Sequence, residues 1–197
     1  MTNKLMLIGL LSLIFNLIGY VPYYRDIFRG KVKPQRITWS LWAVLTFIAS
    51  VNQIRNGGGW STVFVLSTFL LVFGVFILSF TKGLGGGSTQ DKLSLVVAGL
   101  LFIWWIYSKD SIYSTYIVIA IDSIGALLTA QKAYKEPETE AYLQWVTSGI
   151  SAMLGILAIE SYSTILLAYP LYVVIGNSVI VLAEYIGSKK GAKYNER

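Results

Sequence analysis

The sequence predicts an all-α integral membrane protein of seven transmembrane helices. They form two parallel three-helix bundles joined by a linker helix, with the N-terminus outside and the C-terminus in the cytosol. Three observations lead there. The 197 residues are 55% hydrophobic and only 13% charged, with a mean hydropathy of +0.62, which excludes an ordinary soluble domain. The sixteen lysines and arginines fall on alternate sides of seven apolar stretches. Features of the first half of the chain return in the same order in the second half.

The apolar stretches are roughly 5–24, 36–54, 60–80, 93–107, 112–132, 139–159 and 164–186. Each approaches the ~20 residues that cross a ~30 Å hydrocarbon core, the fourth being short. The first follows Lys4 in the manner of a signal peptide. No small-residue cleavage pattern follows it, and removing it would leave an even number of spans, so it reads as helix one. Numbering the connections places Arg25, Arg29, Lys31, Lys33, Arg36, Lys82, Lys92, Lys132, Lys135, Lys189, Lys190, Lys193 and Arg197 on one side and only Lys4, Arg55 and Lys109 on the other. Cytosolic loops are enriched in lysine and arginine, so the crowded side is the cytosolic one. Residues 82–89 are glycine-rich and read as a flexible linker. They lack the Gly-Lys-Ser/Thr run and the preceding strand that a phosphate-cradling loop requires. The divisions are therefore 1–81 for the first bundle, 82–110 for the loop and linker helix, 111–187 for the second bundle and 188–197 for a basic tail.

The net charge of +6 lies in the loops and tail, where it sets topology, so no nucleic-acid partner is expected. The expected partners are the lipid bilayer and a small-molecule solute, and a homo-oligomer is compatible with the sequence. There is no cysteine and no histidine. Disulfides, thiolate chemistry and imidazole-based metal or acid–base sites are thereby removed, and no metal or cofactor is expected.

The repeat is read from four matches. Asn16-Leu17-Ile18-Gly19 in helix one corresponds to Asp122-Ser123-Ile124-Gly125 in helix five. A loop proline follows, fifteen residues after Gly19 and twelve after Gly125, and opens a Pro-x4-aromatic-x2-Trp pattern: Pro34, Trp39, Trp42 and Pro137, Tyr142, Trp145. Trp60-Ser61-Thr62 then opens helix three as Tyr162-Ser163-Thr164 opens helix seven. Four matches in one order indicate a duplicated three-helix unit. With one helix between the copies, both run the same way through the membrane, and such repeats usually hold substrate between them near the midplane.

Gly-Tyr-Val-Pro-Tyr-Tyr-Arg-Asp-Ile-Phe at the end of helix one and Pro34-Gln35 opening helix two resemble the PQ-loop superfamily, which includes the SWEET and SemiSWEET sugar transporters and lysosomal amino-acid exporters. The second half, with Asp122, Ala130-Gln131-Lys132, Gln144-Trp145 and a tyrosine-rich helix seven, is also similar to vitamin transporters of the nicotinamide riboside (PnuC) type. The second loop departs from the pattern with Pro137-Glu138, and Pro22 has no counterpart at Leu128. The resemblance implies a transporter. It implies a substrate-facing role for Asn177, at the place where SWEET-like families carry an asparagine, and a hinge at the loop proline beside Gln35.

Among the acidic residues Asp122 alone lies halfway along an apolar span. A mid-bilayer carboxylate costs roughly 3 kcal/mol on insertion scales and normally faces a bundle interior. It is a candidate for binding solute or a proton, or for a structural hydrogen bond, with Asn16 as the suggested partner. Asn16 lies on a small and polar stripe with Gly9, Ser12 and Gly19, and Asn177 lies in mid-helix seven. Both are candidates for contacting a solute or for binding helix to helix. Trp42 and Trp145 are preserved by the repeat and can stack on a flat solute or belong to an interfacial belt. Pro34 and Pro137 mark the inner ends of helices two and six, and Pro170 is expected to interrupt helix seven.

The leading expectation is a transporter that moves a small polar solute by alternating access between the two bundles. A seven-helix receptor, sensor or cargo receptor is the alternative, since the KDEL-receptor relatives share the fold. A retinal-binding version is disfavoured for want of a lysine midway along helix seven. A membrane enzyme is disfavoured because Asp122 has no second intramembrane carboxylate to work with.

Overall fold

The structure is a computed structural model that describes residues 2–84, 89–108, 110–137 and 142–195. Most of the glycine-rich connection, Lys109, and the approach to the sixth stretch with Glu138 and Glu140 lie outside the described residues. Within them the chain forms seven helices: α1 (Thr2–Phe28), α2 (Arg36–Arg55), α3 (Thr62–Lys82), α4 (Thr89–Ser108), α5 (Ser111–Lys135), α6 (Tyr142–Leu157) and α7 (Thr164–Asn195). A single 3-10 turn, Gly59–Ser61, leads into α3.

Among the described residues, five helical segments are long and apolar enough to cross a bilayer: Asn3–Phe28, Arg36–Arg55, Gly59–Lys82, Ser111–Lys135 and Thr164–Lys190. A helix suits that setting because it satisfies its backbone polar groups internally. Large apolar side chains cover the outside while several polar ones are buried with the apolar core. Leu7, Val21, Leu70, Phe80 and Leu127 point outward, while Ser12, Asn16, Ser50, Asn52, Gln53 and Ser151 are buried. Apolar contact between helices gains little where the surroundings are equally apolar. Close approach through small residues and hydrogen bonds therefore carries the packing.

Helix ends follow local chemistry. At the end of α1, Gly30 takes the left-handed conformation with φ 71°, and the Lys31 N–H returns to the Asp26 carbonyl at 2.9 Å, the glycine-dependent way of closing a helix. Asp110 caps α5 by accepting from the Ile112 and Tyr113 N–H groups at 2.9 and 3.1 Å, as N-cap carboxylates do.

Lengths depart from the sequence reading in two places. The shortest helix is α6, with 16 residues, whereas α4, expected to be short, has 20. Helix α7 runs 32 residues, through Pro170 and on into the basic tail. Pro170 does not interrupt it, for an identifiable reason. A proline removes the N–H that would bond the carbonyl four residues earlier. That carbonyl, on Leu166, accepts instead from Gln53 Nε2 of α2 at 3.4 Å. Gln53 also donates to Ser61 Oγ at 2.9 Å.

Helix α3 packs against both α1 and α2, and α7 against both α5 and α6. Between these groups α1 lies along α6 and α2 meets α5, while α4 rests on α2. The α1–α6 seam uses the small stripe of α1. Ser151 Oγ donates to the Ser12 carbonyl at 2.7 Å, and the Gly19 backbone lies so near α6 that a Cβ there would meet Gln144 and Thr147. At the opposite end of α2 from Arg55, the α1–α2 loop pairs with the residue that follows α3. Leu84 N–H donates to the Pro34 carbonyl at 3.0 Å and Arg36 N–H to the Leu84 carbonyl at 2.8 Å. Pro34 is completely buried by this bridge.

Candidate functional site

Asp122 is the twelfth residue of the 25 in α5, and its side chain is partly buried. It faces inward. The Trp42 indole N–H of α2 and the Tyr172 hydroxyl of α7 are its polar neighbours. Indole nitrogen only donates, so the carboxylate acts as the acceptor there. The Tyr169 hydroxyl of α7 and the Tyr20 hydroxyl of α1 stand within electrostatic range, and Tyr20 also faces the Gln144 side chain of α6. Helices α1, α2 and α7 thus supply the immediate surroundings of one carboxylate.

Those surroundings are aromatic and orthogonal. The rings of Trp42 and Trp145 meet at 6.5 Å with an interplanar angle of 83°. Trp39 meets Trp42 at 5.1 Å and 87°, and Tyr20 stands edge-on to Trp39 at 6.5 Å. Tyr169 and Tyr172 lie 6.2 Å apart. Edge-to-face geometry is the favoured arrangement of aromatic pairs. Here it also builds a corner of ring faces between α2 and α6. Space beside the carboxylate comes from glycine. A Cβ added at Gly125, one turn along from Asp122, would meet only Trp42 Nε1, at 3.8 Å. One added at Gly176 would meet nothing closer than 3.9 Å.

The structure brings three of the sequence candidates together and places the others elsewhere. Asp122, Trp42 and Trp145 converge. Asn16 does not join them: its Nδ2 donates to Ser67 Oγ and Thr68 Oγ1 of α3, both at 2.9 Å, so it fastens α1 to α3. Asn177 is buried with its Cβ 3.5 Å from where a Gly149 Cβ would stand. It lines a groove of about 400 Å³ between α6 and α7, together with Tyr142, Trp145, Val174 and Tyr185. Its Nδ2 has no acceptor among the described residues. Pro34 and Gln35 sit in the backbone bridge to Leu84, and the Gln35 side chain accepts from Thr38 Oγ1 at 3.0 Å. Pro137 follows the end of α5, and Pro170 lies inside α7.

Sequence reasoning missed Tyr20, Tyr169, Tyr172 and the carboxamides of α2. A usable signal existed for the α7 pair, because residues three apart share a helix face and these flank Pro170. It existed also for Asn52 and Gln53, two consecutive carboxamides within an apolar span. Nothing in the sequence marks Tyr20 out from its neighbours Tyr23 and Tyr24.

Among known proteins, the chain matches no family model, no curated protein and no solved structure.

Proposed function

We propose that this chain is a multi-pass membrane transporter that moves a small polar solute by alternating access between an α1–α3 unit and an α5–α7 unit, with α4 as the linker. The observation that carries the reading is Asp122, a carboxylate halfway along an apolar helix, partly open, and flanked by donors from both units: Trp42 of one and Tyr172 of the other. A carboxylate retained at such a depth serves a function more often than it serves packing, because an amide would make the same structural bonds without the cost of the charge. The bridge between Pro34 and Leu84 supports treating α1–α3 as one body, because it ties the α1–α2 loop to the end of α3. Basic residues crowd the connections that follow α1, α3 and α5, which supports placing those ends in the cytosol.

Solute counterflow in proteoliposomes tests this reading. Vesicles holding the protein and an unlabelled solute are exposed to a labelled trace of the same compound, across sugars, amino acids, nucleosides and amines. Protein-dependent accumulation for one class is expected, and Asp122→Asn should abolish it. Absence of accumulation for every class, with the protein folded, would contradict the reading.

A further inference from the structure

Resting on that transporter reading, we infer that the solute is a small organic cation, held with its charge against Asp122 and its alkyl groups against the rings of Trp42, Trp145 and Tyr172. The first ground is charge. No described lysine or arginine neighbours Asp122. The basic side chains that engage rings do so at helix ends: Arg36 over Phe80 at 5.5 Å, Arg55 over Trp105 at 5.3 Å and Lys189 over Tyr185 at 4.6 Å. The carboxylate is left without a counter-charge from the protein, and a bound cation supplies one.

The second ground is the wall chemistry. The polar atoms of Trp42 and Tyr172 face the carboxylate, and their rings offer a ligand aromatic surface. Ring faces attract cations through their quadrupole, most strongly where water is excluded, and carboxylate plus aromatic corner is the arrangement that recognises alkylated ammonium groups. A neutral polyol calls for a different wall, with several paired donors and acceptors. Of the two asparagines suited to that task, Asn16 is spent on Ser67 and Thr68, and Asn177 lies in the α6–α7 groove that Trp145 also lines.

The test uses the full chain in nanodiscs and two probes of equal shape: choline, and its uncharged isostere in which carbon replaces nitrogen. Binding is read by tryptophan fluorescence and by thermal stabilisation. Choline should bind at least about tenfold more tightly than the isostere. Asp122→Asn should erase the difference, and Trp42→Phe, which keeps a ring, should retain most of it. Equal binding of the two probes, binding of neither at about 100 mM, or a preference for choline that survives Asp122→Asn would each overturn the cation assignment. Counterflow separates this from the parent reading. Accumulation of a neutral solute without choline binding removes the cation and keeps the transporter. Choline binding that depends on Asp122 without any counterflow keeps the cation site and removes the transporter.

Discussion

Two regions of this molecule place polar side chains among apolar helices, and they are completed to different degrees. Where α2, α4 and α5 meet, Asn52 is buried and fully used. Its Nδ2 donates to Ser114 Oγ at 2.8 Å and Thr115 Oγ1 at 3.0 Å, and its Oδ1 accepts from Trp105 Nε1 at 3.1 Å. Asn16 repeats the donor side of this device on α3, again with a serine–threonine pair. Around Asp122 the chemistry is stronger and the closure weaker. A carboxylate with two neutral donors is left partly open, beside glycines that leave room. A buried polar network that serves packing gains by being satisfied within the protein, since each unmet group costs stability, as Asn52 is and as the Oδ1 of Asn16, which meets no partner among the described residues, is not. One that serves a ligand is left to be satisfied by it.

This difference can be tested by breaking each region, in order of expected loss of stability. The largest effect belongs to the seam that holds the units together. Gly19→Ala forces a Cβ against Gln144 and Thr147 of α6 and should cost about 3 kcal/mol in an unfolding titration in bicelles. Gly125→Ala, whose Cβ would make an ordinary contact with Trp42 Nε1 at 3.8 Å, should cost nothing measurable in the same titration yet weaken solute binding. Next comes Asn52→Leu, which strands the Trp105 N–H and two hydroxyls and should cost about 2 kcal/mol. A smaller effect is expected at the proline of α7. Gln53→Leu leaves the Leu166 carbonyl unmet and should cost about 1 kcal/mol. Pro170→Ala restores an N–H for that carbonyl, so in the double variant much of the loss should vanish, a coupling readable by a thermodynamic cycle. Failure of this rescue would mean that Gln53 acts through Ser61 alone.

The parts legible in the sequence were those with a one-dimensional signature. Apolar runs between loops gave seven helices, and the lone mid-span aspartate marked α5 as the helix to watch. The small stripe Gly9, Ser12, Asn16 and Gly19 was visible too, though its purpose was not. The structure spends it on the α1–α6 seam and the α3 clamp instead of on a cavity. Pro170 misled because a local rule about missing donors does not include a glutamine more than a hundred residues away that supplies the bond. The tyrosines around Asp122 were hidden for a related reason: thirteen tyrosines share one composition, and only the packing of α7 on α5 and of α1 on α6 separates the three that face the carboxylate. Asn177 carried an expectation from resemblance, and its place in the α6–α7 groove beside Trp145 is set by how α6 lies on α7, which has no one-dimensional signature.

The most direct measurement compares Asp122→Asn with Asn52→Leu in two assays on the same preparations, unfolding in bicelles and solute counterflow in proteoliposomes. The contrast drawn here predicts that Asp122→Asn unfolds within about 0.5 kcal/mol of the wild type while its counterflow disappears, and that Asn52→Leu loses stability while its folded fraction still transports. If Asp122→Asn instead unfolds as readily as Asn52→Leu and its folded fraction transports normally, Asp122 is a structural residue and the site described around it is not where this protein works.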